Sequence, residues 1–401
     1  MLDLLKGTRI VSFNHFLMGP MGVQYLADLG ADVIAVEAVE GAWQRHWSGA
    51  NAFRDEQSML LLCANRNKRS LALDLRQPEA REVALKLVES ADVVMENFRP
   101  GVMDRLGLGY ETLKALKPSL IYAAATGYGP DGPYVGKPGQ DLLVQALYGL
   151  MAITGTKESG PRPVGVSAGD HHGAALFAMG VLAALVRRGR TGQGCRVDAN
   201  LMQSVLDLQA ESLTSWLNMP KRPDTINAPG HVAGWYYPAP YGVYATKDGH
   251  LAISLSPVDV LAEVMEEPQL AEFTGDAPWV RRDELQALVA KTVKKKTNAE
   301  WVAVMEPRAI WHAPVNDYSN LMDDPQVKHA ECFVTMQGAG PKGEALTFLN
   351  HPLRYDGKAA EIALPPQPLG AQTTEILHEL GYNTAQIEAL ENAKALYRQH
   401  H

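Results

Sequence analysis

The sequence predicts an α/β fold, with a large domain around a mostly parallel sheet and a smaller α+β domain. Three observations point there. Short β-rich apolar runs alternate with amphipathic helical segments from Thr8 to Thr126, the pattern of strands joined by right-handed crossovers. A Pro- and Gly-rich stretch at 219–240, MPKRPDTINAPGHVAGWYYPAP, interrupts that texture. Beyond it YGVYATKDGHLAISLS reads as a β-hairpin turning at Asp248-Gly249. The division expected is 1–222 with 330–401 for the large domain and 223–329 for the small one.

Each element has a local reason. TRIVSF is a short β-rich run. GPMGVQYLADLG has Pro20 at a helix start and Gly30 just past its end, a matched pair of boundary signals. ADVIAVE is apolar almost throughout, as a strand covered on both faces should be. QPEAREVALKLVES carries Pro78 in its first turn, with Val83 and Leu87 on the inner stripe. ADVVMEN and LIYAAAT are further strands separated by helical ETLKAL. Helices are expected over most of Asp141–Arg187, then CRVDAN as a strand and LMQSVLDLQAESLTSWLN as one helix. The C-terminal PLGAQTTEILHELGYNTAQIEALENAKAL is helical and able to dock back on the first domain.

Composition limits the function. The chain has 401 residues, 46% hydrophobic and 20% charged, with a net charge of -8. That is a globular make-up with only one local basic cluster, which argues against nucleic-acid binding. Three scattered cysteines, Cys63, Cys195 and Cys332, suggest neither a disulfide framework nor a zinc site. A reducing, cytoplasmic compartment is expected, with no signal peptide at MLDLLKGTRIVSF. The longest apolar run, Gly173 to Val186, reads as a buried helix too short for a bilayer.

Four stretches carry candidate chemistry. GYGPDG (127–132) matches G-x-G-x-x-G after a strand, but it leads into PYVGKPGQ rather than a helix, so NAD binding is not expected. NRNKRSLALDLR carries Arg66, Lys68, Arg69 and Arg76. On its own it reads as a solvated loop entering a strand, with a phosphate-rich ligand as the alternative. ENFRPG places Asn97 and Arg99 directly after a strand, with Arg105 following, where ligands of parallel sheets sit. VGVSAGDHHGAALFAMG sets Asp170 before a long helix, the place of an N-cap. A helix N-terminus also favours the ionised carboxylate that a nucleophile needs. His171 and His172 are adjacent, so on a helix they point about 100° apart and cannot share one metal. No metal site is expected.

Taken in order, these blocks resemble the class III coenzyme A transferases, the carnitine CoA-transferase and formyl-CoA transferase group that also includes the α-methylacyl-CoA racemases. The resemblance rests on GPMGVQYLADLGADVIAVE, NRNKRSLALDL, ADVVMENFRPGVMDRLGLGY, LIYAAATGYGPDGP, QDLLVQALYGLMAITG, the GD before an apolar helix, RTGQGCRVDANLMQSVL and PLGAQTTEILHELGY. It implies a Rossmann-like large domain, a smaller domain and an interlocked homodimer. It implies that Asp170 is the catalytic nucleophile, passing through an aspartyl anhydride and an aspartyl-CoA thioester. Coenzyme A, as acyl-CoA, would be held by Leu17, Met18, Leu73, Arg76, Asn97, Phe98, Arg99, Arg105, Thr126, Gly127 and Tyr128. Asp141 matches an acidic position that places substrate or acceptor.

The partners implied are an acyl-CoA and a carboxylic acid, with neither nucleic acid nor membrane. Racemases of this fold carry a His directly before the acid of the KPGQD segment. Here Gln140 stands there, and an amide is no general base. A proton-transfer racemase and a non-catalytic CoA-binding paralogue are the alternatives. Leu17 replaces a polar amide of the formyl enzymes and their glycine tetrad is absent, so formyl-CoA with oxalate is not expected. Succinyl-type dicarboxylic groups and carnitine-like chemistry are both compatible. Trp235, Tyr236 and Tyr237 read as pocket walls or as interface packing.

Overall fold

A computed structural model describes residues 2–399. The chain forms two compact units: one from residues up to 144, Ser167–Leu208 and Pro325 onward, the other from Gln145–Val166 and Gln209–Asp324. The sequence reading set the change at 222/223 and 329/330. In the structure the chain passes between units at 208/209 and 324/325, and 145–166 joins the second unit. The cause lies in the second unit. Trp235 Nε1 donates to Ser212 Oγ at 2.9 Å and Tyr237 OH to Glu211 Oε2 at 2.9 Å, which ties the helix Ala210–Asn218 to the aromatic segment.

The first unit is built on seven strands. In chain order they are β1 (Arg9–Phe13), β2 (Asp32–Glu37), β3 (Lys68–Leu73), β4 (Val93–Glu96), β5 (Ile121–Thr126), β6 (Arg196–Asn200) and β7 (Leu396–Tyr397). Their spatial order is β7-β3-β2-β1-β4-β5-β6. All pair in parallel except β7, which runs antiparallel to β3. The order reverses between β1 and β4, and the crevice at such a reversal, beyond the carboxyl ends of the strands, is where open α/β sheets bind ligands.

The helices of this unit include α1 (Met18–Asp28), α2 (Pro78–Ser90), α3 (Tyr110–Leu116), α4 (Ala168–Thr191), α5 (Leu201–Leu208), α6 (Thr373–Glu379) and α7 (Thr384–Asn392). Pro20 falls in the first turn of α1, where no N–H is needed. Gly30 closes the turn after α1 with φ +101°, and a Cβ there would stand 2.1 Å from Leu2 O. The core includes Val11, Phe13, Ile34, Leu71, Val83, Leu87 and Val94, together with Ile376, Leu377, Ile387 and Leu396 from the C-terminal segment. Leu87 is fully buried, so truncation to Ala there costs about 2–5 kcal/mol.

Three local expectations change. The helix expected over 201–218 is broken at Gln209 into α5 and Ala210–Asn218, the point where the chain leaves the first unit. The two-residue strand β7 is an element that periodicity could not show. Finally, α4 is longer than its apolar run: it has 24 residues, and its most apolar stretch has mean hydropathy 1.2, so it passes for membrane-spanning by length and composition alone. One face of it, including Ala174, Phe177, Ala178 and Val181, is buried.

The second unit has an antiparallel sheet with His250–Ile253 in the middle, flanked by Gly242–Ala245 and His312–Pro314. Its hairpin turns over Thr246–Gly249, where Thr246 Oγ1 accepts from Gly249 N at 3.0 Å. Helices pack Leu261, Leu285, Val289 and Trp301 around Tyr244, Leu251 and Ile253.

Candidate active site

Asp170 lies in the first turn of α4, three residues into the helix rather than at its cap, because the helix begins at Ala168. The N-cap Ser167 makes no side-chain cap bond. That work falls to Asp141, whose Oδ1 accepts from Gly169 N at 2.7 Å and from Asp170 N at 3.2 Å. Asp141 is itself 7% exposed. It therefore satisfies the free donors at the start of α4 and holds the Asp170 backbone in place. Gly169 is required at this contact, since a Cβ would stand 3.0 Å from Asp141 Oδ1 and 2.8 Å from Val205 Cγ2.

The Met18 N–H, in the first turn of α1, favours the ionised form of the Asp170 carboxyl. The start of α1 thus lies against the start of α4. Burial first, and the Asp141 charge second, push the Asp170 carboxyl up to about 7, against the Met18 N–H and the helix dipole that favour the ionised form. Gly173 lets α1 and α5 approach α4, because a Cβ would meet Met18 Cε at 2.8 Å and Ser204 Oγ at 2.9 Å.

The loops after β1 and β4 are clamped together. Asn97 Oδ1 accepts from His15 N, and Asn97 Nδ2 donates to His15 O, both at 2.8 Å. Phe98 N donates to Glu96 Oε2 at 2.8 Å and Tyr122 OH to Glu96 Oε1 at 3.2 Å. Burial raises the Glu96 carboxyl to about 7. Asn97 is thus a tie between loops, while Arg99 and Arg105 are exposed.

The remaining predicted residues sort by environment. Leu17 is half-buried at the N-cap of α1, and Met18 is buried. Thr126 Oγ1 accepts from Gly129 N at 2.9 Å, and Tyr128 OH donates to Pro138 O at 3.3 Å. Gly127 packs on its own chain, since a Cβ would stand 2.6 Å from Gly139 Cα. It lets the loop double back on itself. Leu73 is 1% exposed within the core, so its side chain supports the sheet.

The basic cluster is not a solvated loop. Arg66 pairs with buried Asp28 at 2.6 Å. Lys68 Nζ is enclosed by Pro20 O, Ala64 O and Asn65 Oδ1. Arg69 binds Asp32, Glu375 and Glu379. Arg76 alone of the four is largely exposed, its side chain 73% accessible beside Asp74 and Glu40.

His171 and His172 diverge as expected. Burial pushes His171 down, with Asp141 opposing, while His172 Nε2 lies 2.7 Å from Asp207 Oδ2 on α5. Among the described residues no His/Cys/Asp/Glu group is arranged to hold a metal. Trp235, Tyr236, Tyr237 and Tyr241 form a row of edge-on and tilted ring contacts inside the second unit. Sequence reasoning missed His15 and Glu96 as organisers of the site. Their roles run through backbone groups of other loops, which leave no pattern in a sequence.

The family profile described as CoA-transferase family III matches residues 5–373. A succinyl-CoA:glutarate CoA-transferase of Mus musculus is 32% identical, covering 96% of this chain and 88% of its own length. A succinyl-CoA:mesaconate CoA-transferase of Haloarcula marismortui is 32% identical, with 96% of this chain and 98% of the relative covered. The solved structure of a CAIB/BAIF family protein from Brucella suis superposes with a TM-score of 0.80 at 30% identity, covering 94% of this chain and 99% of that one. The chain belongs to CoA-transferase family III, and it is an enzyme of CoA transfer.

Proposed function

We propose that this enzyme moves CoA from an acyl-CoA thioester to a free carboxylic acid by covalent catalysis on Asp170. An Asp170 oxygen attacks the thioester carbonyl carbon, the C–S bond breaks and CoA thiolate leaves a mixed anhydride. The thiolate then attacks the aspartyl carbonyl and expels the donor acid, leaving an aspartyl-CoA thioester. The acceptor carboxylate attacks that carbonyl and releases the thiolate again. The thiolate attacks the acceptor acyl carbon, forming the new thioester and restoring Asp170. Each step exchanges one activated acyl bond for another, so no nucleotide is consumed.

The observation that carries this reading is the Asp170 carboxylate held in the first turn of α4, beside the start of α1, and poised near neutrality. Hydrogen-bond donors at a helix start suit the oxyanion that develops on attack. Arg76, Arg99 and Arg105, exposed near the carboxyl edge of the sheet, suit the phosphates of CoA. Leu17, Phe98 and Tyr128 suit its apolar arm. The strand order supports a Rossmann-like reading of the first unit. We also propose a homodimer, supported by the exposed Met179 and Val186 on α4, 60% and 64% accessible. A native mass of twice 43.7 kDa in light scattering tests it. For the chemistry, Asp170→Asn is expected to abolish transfer, and hydroxylamine should release acyl groups trapped at Asp170 of the unmodified enzyme. Turnover by the Asn variant, or α-proton exchange in deuterated water without any trapped acyl group, would sink the reading.

A further inference from the structure

We propose that the aromatic row His15–Phe16–Trp43–Trp47, which continues from Phe98, seats the acyl group, and that the substrate class is an acyl-CoA whose acyl part is a flat aromatic body. This rests on the transfer reading above and names the substrate of that site. Ring centroids from Phe98 onward are 5.3, 4.7, 4.4 and 4.9 Å apart. Phe16, Trp43 and Trp47 are 43%, 40% and 48% exposed. Large aromatic rings left to water beside a ligand crevice mark a binding surface.

The row is built, not incidental. Phe16 has φ +60°, a left-handed conformation that a bulky residue keeps only where the surroundings enforce it. They do so here. Phe16 N donates to Oε1 of Gln44 at 3.2 Å, and Gln44 is 2% exposed. His15, next in the chain, is fixed by both bonds of Asn97. Two residues beyond Phe16, Met18 opens α1 and packs its Cε against Gly173 in the first turns of α4, where a Cβ would stand 2.8 Å away. A two-residue span is at most about 7 Å, so the Phe16 backbone lies beside the start of α4 that carries Asp170.

At its Phe16–Trp43–Trp47 end the row carries no available charge, and the exposed Arg99 lies at the other end beside Phe98. Arg45 is engaged by both Glu37 oxygens at 2.6 Å. His46 Nε2 sits 2.8 Å from Glu40 O. Burial pushes His15 below its ordinary value, toward the neutral ring, against its backbone bond. A second carboxylate on the acyl group would find no cation at the tryptophan end, whereas a planar apolar ring would stack there.

The test compares phenylacetyl-CoA with acetyl-CoA and succinyl-CoA as donors to the full-length enzyme, with acetate as acceptor for the aryl and succinyl esters. The unmodified enzyme is expected to favour the aryl ester. Trp43→Ala and Trp47→Ala should each lower the aryl-to-acetyl ratio of kcat/KM about 10-fold. An equal loss for all three esters would place the adenine of CoA on the row and overturn the acyl assignment; no change in the ratio would also overturn it. Tryptophan fluorescence of Asp170→Asn protein, titrated with CoA, acetyl-CoA and phenylacetyl-CoA, separates the two claims. Stronger quenching by the aryl ester that is lost in Trp43→Ala supports the row even if no ester turns over, which would sink the transfer reading alone. Equal quenching by CoA and its aryl ester overturns the row.

Discussion

Asp170 and Asp141 show how one residue sets the chemistry of another. Asp141 holds the backbone of Asp170, the proposed nucleophile, and repels its charge through the same carboxylate. The attacking form is the ionised one, so kcat/KM is expected to rise with pH through an inflection near 7. Asp141→Asn keeps an oxygen for the two N–H donors and removes the charge. It should shift that inflection to lower pH by on the order of one unit, with stability nearly unchanged. His171 is the other titrating group near Asp141, and His171→Gln should leave the shift in place. An unmoved inflection in Asp141→Asn would refute the coupling. At this scale the sequence was partly legible. The Asp170 position and its helix start could be read, because capping patterns are local. The Asp141 contact joins residues 28 positions apart and could not.

Elements whose reason is periodic were the ones sequence could place: β1, β2, β4 and β5 with α1 and α2 between them. The basic stretch of β3 was misjudged because charge reads as exposure. Here Arg66 and Asp28, 4% and 1% exposed, face each other across the sheet edge, with Asn67 and His351 also bonded to Asp28. Burial alone would raise the Asp28 carboxyl, but its His351, Arg66 and Asn67 partners hold it below its ordinary value. Removing one charge leaves the other unpaired. Arg66→Met should therefore cost about 3–5 kcal/mol in urea unfolding, and Arg66→Met with Asp28→Asn should recover part of it. A loss below 1 kcal/mol would show that the pair relaxes into water.

For the whole molecule, the C-terminal segment is structural. β7 covers the edge of β3, while Ile376, Leu377 and Ile387 fill the core under it. Glu375 and Glu379 hold Arg69. A chain ended at Leu364 is expected to lose soluble expression or to melt well below the full chain in thermal denaturation; an unchanged Tm would show that the segment is dispensable. Fold class and the change in texture near the middle of the chain were legible, because they follow from composition and period. The return of 145–166 to the second unit was not, because that segment has no distinguishing pattern of its own.

The placement of β7 has a consequence for synthesis. The first unit opens at Arg9 and is closed by Leu396 and Tyr397, while the second unit ends at Asp324. At translation rates of about 5–20 residues per second, the second unit is complete several seconds before the last strand emerges. During that interval β3 presents a bare edge, the hazard that exposed strands bring. Nascent chains stalled before residue 396 should therefore recruit chaperones to the first unit and leave the second already folded.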